Sequence, residues 1–226
     1  MRYTTDGEEF TRIHPLSCGL GYAFLIETNQ GLLLIDSGSP GHEQKALERM
    51  RKLGRADLKL IWITHAHYDH YGSAAALRKL TGALVGIHPA DSDSLIYGQS
   101  LTGSAHRYGV ILPMLLKMAM VLKPLPKIQP DLILGDGSTL EQYGLDAYIL
   151  HTPGHTPGHT CVILEGGIAF AGDLISSLPR PGLQRLLATN WSQLNESLAK
   201  LKSARPAWIY CGHRRNPIPG SELHKM

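Results

Sequence analysis

The chain has 226 residues, enough for one domain that buries a sizeable core. Hydrophobic residues make up 43% and charged residues 18%, a globular balance that excludes a disordered tail protein and a collagen-like one. The formal net charge of +3 is too small and too scattered to point to nucleic acid. Twelve histidines are the compositional outlier, while 24 glycines and 14 prolines suggest a fold rich in functional loops. Three cysteines, Cys18, Cys161 and Cys211, are too few and too far apart for a disulfide framework or a CxxC zinc site, and are expected as small buried hydrophobes. The N-terminus carries acidic residues and no apolar h-region, so no secretory signal is expected. The longest greasy stretch, Val110 to Leu122, is broken by Pro113 and Lys117 and is too short for a membrane span. A soluble, cytoplasmic protein is the expectation.

In chain order, Tyr22–Glu27 and Leu32–Asp36 read as strands joined by the hairpin signature Thr28-Asn29-Gln30-Gly31. Ser39-Pro40-Gly41 opens a helix to about Leu53, with Ala46, Leu47, Met50 and Leu53 at helical spacing. Leu60–Thr64 reads as a buried strand, Gly72–Leu80 as a helix and Ala83–Ile87 as a strand, an alternating α/β rhythm. The second half repeats it. Strands are expected at Leu145–His151, Thr160–Leu164, Ile168–Ala171 and Trp208–Cys211, with a helix over Ser192–Lys202 capped by Ser192. Between the halves, an apolar helical insert at about 91–130 is punctuated by Pro113, Pro124, Pro126 and Pro130. It reads as a core helix, a homodimer contact or a Met-rich lid over an apolar pocket, with Met114 and Met118 as candidate substrate contacts.

The chemistry gathers at strand ends. Directly after Leu60–Thr64 comes Thr64-His65-Ala66-His67-Tyr68-Asp69-His70. In extended chain His65 and His67 point to the same side, and Asp69 and His70 follow as the chain turns into a helix. Imidazole and carboxylate donors together suit Zn²⁺, with Fe or Mn as alternatives. A second cluster, His151-Thr152-Pro153-Gly154-His155-Thr156-Pro157-Gly158-His159, uses Pro-Gly turns to present His155 and His159. Ala171-Gly172-Asp173 and Cys211-Gly212-His213 are weak signals alone. All four fall at the carboxyl ends of expected strands, where α/β sheets place their sites.

The order LLLID, THAHYDH, TPGHTPGH, AGD and CGH resembles the metallo-β-lactamase-fold hydrolase superfamily, and within it is most similar to the glyoxalase II and lactonase-like branch. The resemblance implies an α/β fold, a four-layer αββα sandwich forming a single domain over 1–226, with a dinuclear metal site at one sheet edge. It implies that His65, His67 and His155 hold one metal, that Asp69, His70 and His213 hold the second, and that Asp173 bridges them. Asp36 matches the early Asp that buttresses the site, and His159 a position behind the ligands. His14, His42, His88, His106 and His224 match nothing. Where the family often has Gly after the last ligand this chain has Arg214, which with Arg215 is a candidate clamp for a substrate carboxylate or phosphate. Ser176 stands where the lactonase branch commonly carries Tyr, and is a candidate substrate contact. With 13 residues after His213, the C-terminal helices of glyoxalase II are not expected here. Asp173 itself departs from the β-lactamases of this fold.

Two Zn²⁺ ions would lower the pKa of a shared water from 15.7 towards about 7 and stabilise the oxyanion formed on attack. The expected activity is therefore zinc-dependent hydrolysis of a small ester, thioester or lactone by a metal-bridging hydroxide, with Asp69 and Asp173 catalytic and part of the substrate apolar. The alternatives are a mononuclear iron sulfur (persulfide) dioxygenase of the same fold and a phosphodiesterase or phosphotriesterase. The expected partner is a small molecule. Neither nucleic acid nor a membrane is expected, and the apolar insert is the candidate dimer contact.

Overall fold

A computed structural model of the chain describes residues 2–4, 10–101, 103, 125–176 and 180–226. Two sheets pack face to face. The first runs, in order, β1 (Arg2–Thr4), β2 (Phe10–Cys18), β3 (Gly21–Glu27), β4 (Leu32–Ile35), β5 (Leu58–Trp62), β6 (Leu84–Ile87) and β7 (Leu132–Ile133). The second is ordered β14 (Ile218–Pro219), β13 (Trp208–Tyr210), β10 (Ile168–Phe170), β9 (Thr160–Leu164) and β8 (Ala147–His151). β11 (Ile175–Ser176) and β12 (Gly182–Leu183) form a separate two-stranded ribbon.

Period-2 alternation sorts the apolar side chains into layers. From β4, Leu33 and Ile35 enter the core between the sheets, with Phe24, Ile26, Leu60 and Trp62. The second sheet answers with Val162, Leu164, Ile168, Phe170 and Tyr210. Phe24 stands 5.3 Å from Phe170 and 5.1 Å from Tyr210 between ring centroids, joining the layers. Leu32 and Leu34 face the other way, towards Ala46 and Met50 of α1 (Glu43–Lys52) and Ala74 and Leu77 of α3 (Ala74–Thr81). On the far side, Cys161, Ile163, Ala169 and Ile209 pack under Leu194, Leu198 and Leu201 of α5 (Trp191–Ser203). Three cores make four layers, αββα, as expected.

The expected hairpin at residues 28–31 forms, with the Thr28 hydroxyl donating to the Gly31 carbonyl at 3.0 Å. All three cysteines are buried and free. The structure corrects the sequence reading in three places. A nine-residue strand, β2, precedes the first expected one; its polar and proline-containing sequence hid it, because its Arg12 and Ser17 lie among alternating apolar residues. Asn190, not Ser192, caps α5: its side-chain carbonyl accepts from the Ser192 and Gln193 N–H groups at 3.0 and 3.2 Å. Pro89–Tyr97 is a further helix, α4, so the first residues of the segment read as an insert belong to a helix with Asp91, Ser94 and Leu95 buried. Leu125 and Ile128 return into the outer core. Residues 104–124, with Met114, Met118 and His106, lie outside the described residues, as do the dimer and lid readings of that segment. Among the described residues no helix is long and apolar enough to cross a membrane.

The start of α4 carries a stacked pair of histidines. His88 caps the helix, its Nδ1 accepting from the Ala90 N–H at 3.3 Å, and its ring stacks on His151 at 3.9 Å. Burial, then the neighbouring imidazole, pulls His88 down to about 4. The unfolded chain therefore binds the extra proton between about pH 6.5 and 4, so His88 makes stability fall as pH falls through that window. His88→Asn keeps a capping side chain and removes the imidazole. Denaturant titrations of this variant should show a pH slope shallower than the parent's by up to ~1.4 kcal/mol per pH unit between pH 6.5 and 4. Asn190→Ala should cost about 1 kcal/mol in the same assay, and Ser192→Ala a few tenths.

Candidate metal centre

The strand ends deliver the four motifs to one place. β5 leads into His65 and His67, with His67 in extended backbone as the residue before α2 (Tyr68–Tyr71), whose first turn carries Asp69 and His70. β8 and β9 are joined by the loop that carries His155, β10 leads into Asp173, and β13 leads into His213. Ligand atoms of His65, His67, His155 and Asp173 all lie within 4.8 Å of one another, and so do those of Asp69, His70 and His213. The two groups meet at Asp173. Its Oδ1 is 3.4 Å from His70 Nε2, and its Oδ2 is 3.5 Å from His155 Nε2 and 3.0 Å from His213 Nε2. His213 Nε2 also stands 3.6 Å from Asp69 Oδ2.

The far side of each ring decides what the near side offers. His67 Nε2–H donates to the Leu101 carbonyl at 2.7 Å, and His213 Nδ1–H to the Leu20 carbonyl at 3.0 Å. A carbonyl can only accept, so the outer nitrogen of each ring keeps its proton and the inner one is the atom left to bind a cation; in the neutral His67 ring that inner nitrogen is bare. Asp36 Oδ2 accepts from His70 Nδ1–H at 2.8 Å. The Thr64 hydroxyl donates to Asp36 and can accept from His65 Nδ1–H at 3.1 Å. In this arrangement His65 Nε2 and His155 Nε2 sit 3.1 and 3.0 Å from the bare His67 Nδ1. For His65 this sets a lone pair against a lone pair, which repels at that distance, whereas ligands around one tetrahedral cation with bonds of about 2.1 Å stand roughly 3.4 Å apart. Buried His70 Nε2, His155 Nδ1 and Asp173 Oδ1 have no hydrogen-bond partner among the described residues, a concentration of unsatisfied polar atoms in one spot. The donor set fits divalent cations.

Electrostatics agrees. Burial, then the neighbouring imidazoles, holds His65 and His155 well below the ordinary histidine range, and burial lowers His67, so all three are neutral as ligands must be. Burial opposes charge on His70 too, but the Asp36 and Asp173 carboxylates outweigh it and hold His70 well above its usual value. Asp173 lifts His213 to about 9. Against its own burial, Asp173 is kept well below the carboxylate range by His213 and His70. This carboxylate is the charge around which the cluster is arranged.

Asp36 lies behind the cluster at φ +59, a backbone conformation that costs free energy and turns its carboxylate onto Thr64 and His70. His159 is buried but does not aim into the cluster. Its Nε2 accepts the Asp173 N–H at 3.1 Å while Nδ1 meets the Thr152 hydroxyl at 2.9 Å, so it positions the Asp173 backbone. Glycine is required at Gly212, where a Cβ would fall 2.5 Å from Asp173 Oδ1 and 2.6 Å from His70 Cε1. Of the tentative substrate contacts, Arg214 is exposed and Ser176 lies on β11, half-buried.

Sequence reasoning missed Asp91. Its buried carboxylate accepts from the Ala66 N–H at 2.9 Å, the Thr156 hydroxyl at 2.7 Å and the Gly158 N–H at 2.6 Å. It thus ties the His65–His67 loop to the His155 loop. Its one sequence signal is the Pro-Ala-Asp opening of a helix after a strand end, which on its own reads as an ordinary first-turn acid.

The profile of the Metallo-beta-lactamase superfamily matches residues 16–213. The chain belongs to the metallo-β-lactamase superfamily. Proteins named hydroxyacylglutathione hydrolase are similar to it: one from Pelagibacter ubique is 30% identical over 158 residues, 69% of this chain and 52% of that protein. One from Pseudomonas aeruginosa is 33% identical over 158 residues, 68% of this chain and 46% of that protein. The chain spans about half the length of these two relatives. An uncharacterized protein of Aquifex aeolicus is 28% identical over 195 residues, 84% of this chain and 82% of that one. Among solved structures, a protein in a di-iron-bound form superposes with a TM-score of 0.66 at 27% identity, covering 92% of this chain and 95% of that one. The BLEG-1 B3 metallo-beta-lactamase shares the fold with a TM-score of 0.74 at 18% identity, covering 95% and 97% of the two chains.

Asp91→Ala would strand three donors at once. It should lower stability by about 3 kcal/mol or more. Metal retained after dialysis against a weak chelator should also fall, because the two His loops are no longer tied; unchanged retention would show that Asp91 serves the fold alone.

Proposed function

We propose that the protein is a binuclear metal-dependent hydrolase of small esters, thioesters or lactones. The observation that carries this reading is the convergence of His65, His67, His155, Asp173, Asp69, His70 and His213, with the outward nitrogens of His65, His67, His70 and His213 engaged by fixed partners. On this reading His65, His67 and His155 hold one cation, Asp69, His70 and His213 hold a second, and Asp173 is shared. Such a pair of ions supplies an acidified water, with its pKa brought from 15.7 towards about 7, and an electrophile for a carbonyl oxygen. The protein's own part is to hold the His65, His67 and His155 imidazoles neutral and in place and to keep the Asp173 carboxylate ionised, while His70 and His213 would give up a proton to a bound cation. Asp69, in the first turn of α2 with Oδ2 3.6 Å from His213 Nε2, is the carboxylate placed to take up and return a proton. Asp36 and His159 fix His70 and Asp173 from behind.

Zinc is the proposed metal, because imidazole-rich sites with a shared carboxylate suit it. Iron is the alternative, supported by the structural neighbour in a di-iron-bound form. Two donor groups, rather than one, favour the hydrolase over a mononuclear iron dioxygenase. The similarity to hydroxyacylglutathione hydrolases favours a thioester among the candidate substrates.

The test is a panel of thioester, lactone, phosphotriester and cephalosporin substrates, with metal measured on the same sample. About two zinc per chain and turnover of a thioester or lactone are expected; one iron per chain with oxygen consumption would overturn the reading. Asp173→Ala should lose metal and at least ~10³-fold in kcat/KM together. Normal metal content with full activity in that variant would remove Asp173 from its shared role.

A further inference from the structure

A cavity of about 260 Å³, apart from the metal-ligand cluster, is bounded by β2, β3, α1 and the loop after β13. Lys45, Arg49 and Lys52 line it from α1, and Arg215 from the loop, with Glu48 the single carboxylate among its lining residues. Positions 45, 48, 49 and 52 follow the i, i+3, i+4, i+7 spacing that places them on one helix face. Among the described residues, no ion pair engages any of these four cations. Like charges three and four residues apart on a helix are unfavourable by themselves, so a face that gathers them around a concavity stores positive potential there. Arg49 and Arg215 add planar forks that match carboxylate and phosphate oxygens.

A backbone link runs from the cavity lining to the candidate metal centre. Tyr22 donates its N–H to the Gly212 carbonyl at 2.8 Å, and the next residue is His213. Arg215 follows two residues later, within roughly 7 Å of His213 by chain length. Of the two arginines after the last histidine, Arg215 lines the cavity and Arg214 does not.

We propose that this cavity is a binding site for the carboxylate or phosphate group of a small molecule, held by Arg49 and Arg215 and drawn in by Lys45 and Lys52. The site does not depend on the hydrolase reading; only the identification of its source as a substrate does. Inorganic phosphate titrated calorimetrically into the metal-loaded protein is the test, with the Arg49→Gln/Arg215→Gln double variant beside it. The parent should bind phosphate, and the variant should bind it at least tenfold more weakly, with metal content and thermal midpoint unchanged. Equal phosphate affinity in the two proteins, or none in the parent, would overturn the proposal. Lys45→Gln, at an exposed position, supplies a second variant with a smaller expected loss should the double variant fold poorly. Two esters differing in a terminal carboxylate then separate the sources. A KM raised in the variant for the charged ester alone identifies a substrate group; phosphate binding lost with both KM values unchanged identifies a separate effector.

Discussion

Seven side chains with lone pairs or negative charge are held against one another in a space nearly closed to water, and the surrounding structure exists to keep them there. Left to themselves, bare imidazole nitrogens about 3 Å apart would rotate away or take up protons. Four of the five imidazoles are restrained from behind. Leu101 and Leu20 offer backbone carbonyls to His67 and His213, and Asp36 holds His70 directly and His65 by way of Thr64. The restraints matter as much as the donors, because they choose the tautomer and so decide which nitrogen faces inwards.

The sandwich explains how such remote restraints can be stiff. The donors sit on the loops and the short helix that follow strand ends, and the strands themselves are locked between or beneath the two sheets, so the donors cannot drift independently. Cross-sheet ties reinforce this near the cluster: Trp62 Nε1–H donates to the Thr160 hydroxyl at 3.2 Å, and the Thr160 N–H to the Thr64 carbonyl at 2.8 Å. Asp91 adds a third tie between the two histidine loops. The dense aromatic contact of Phe24, Phe170 and Tyr210 lies in the core between the same sheets.

Charge is distributed with the same logic at two scales. Inside the cluster one carboxylate, Asp173, sets the protonation of its neighbours, and His159 fixes the backbone that carries it. On the adjoining surface the balance reverses, with four cations against one carboxylate around a concave wall. Both features meet at the short segment from Gly212 to Arg215, which supplies a backbone acceptor for Tyr22, a candidate ligand and a cavity residue within four positions.

The layer pattern was legible along the chain, because alternation in stretches such as Leu32 to Ile35 is a local property that survives folding. The residues that gather at the candidate metal centre were legible for a related reason: histidines and aspartates clustered after apolar strands are rare combinations, and their spacing carries meaning even when the partners are far apart. Other features waited for the fold. Asp91 is an ordinary first-turn acid until Ala66 and Gly158 are brought to it from 25 and 67 residues away. Likewise Asn190 competes with Ser192 for a cap on equal chemical terms, and only the backbone entering α5 chooses between them. Lys45, Arg49 and Lys52 read as a solvated helix face until Arg215 is set opposite. A side chain's type and its near neighbours determine which chemistry it can do, whereas which groups meet it across the molecule is a property of packing alone.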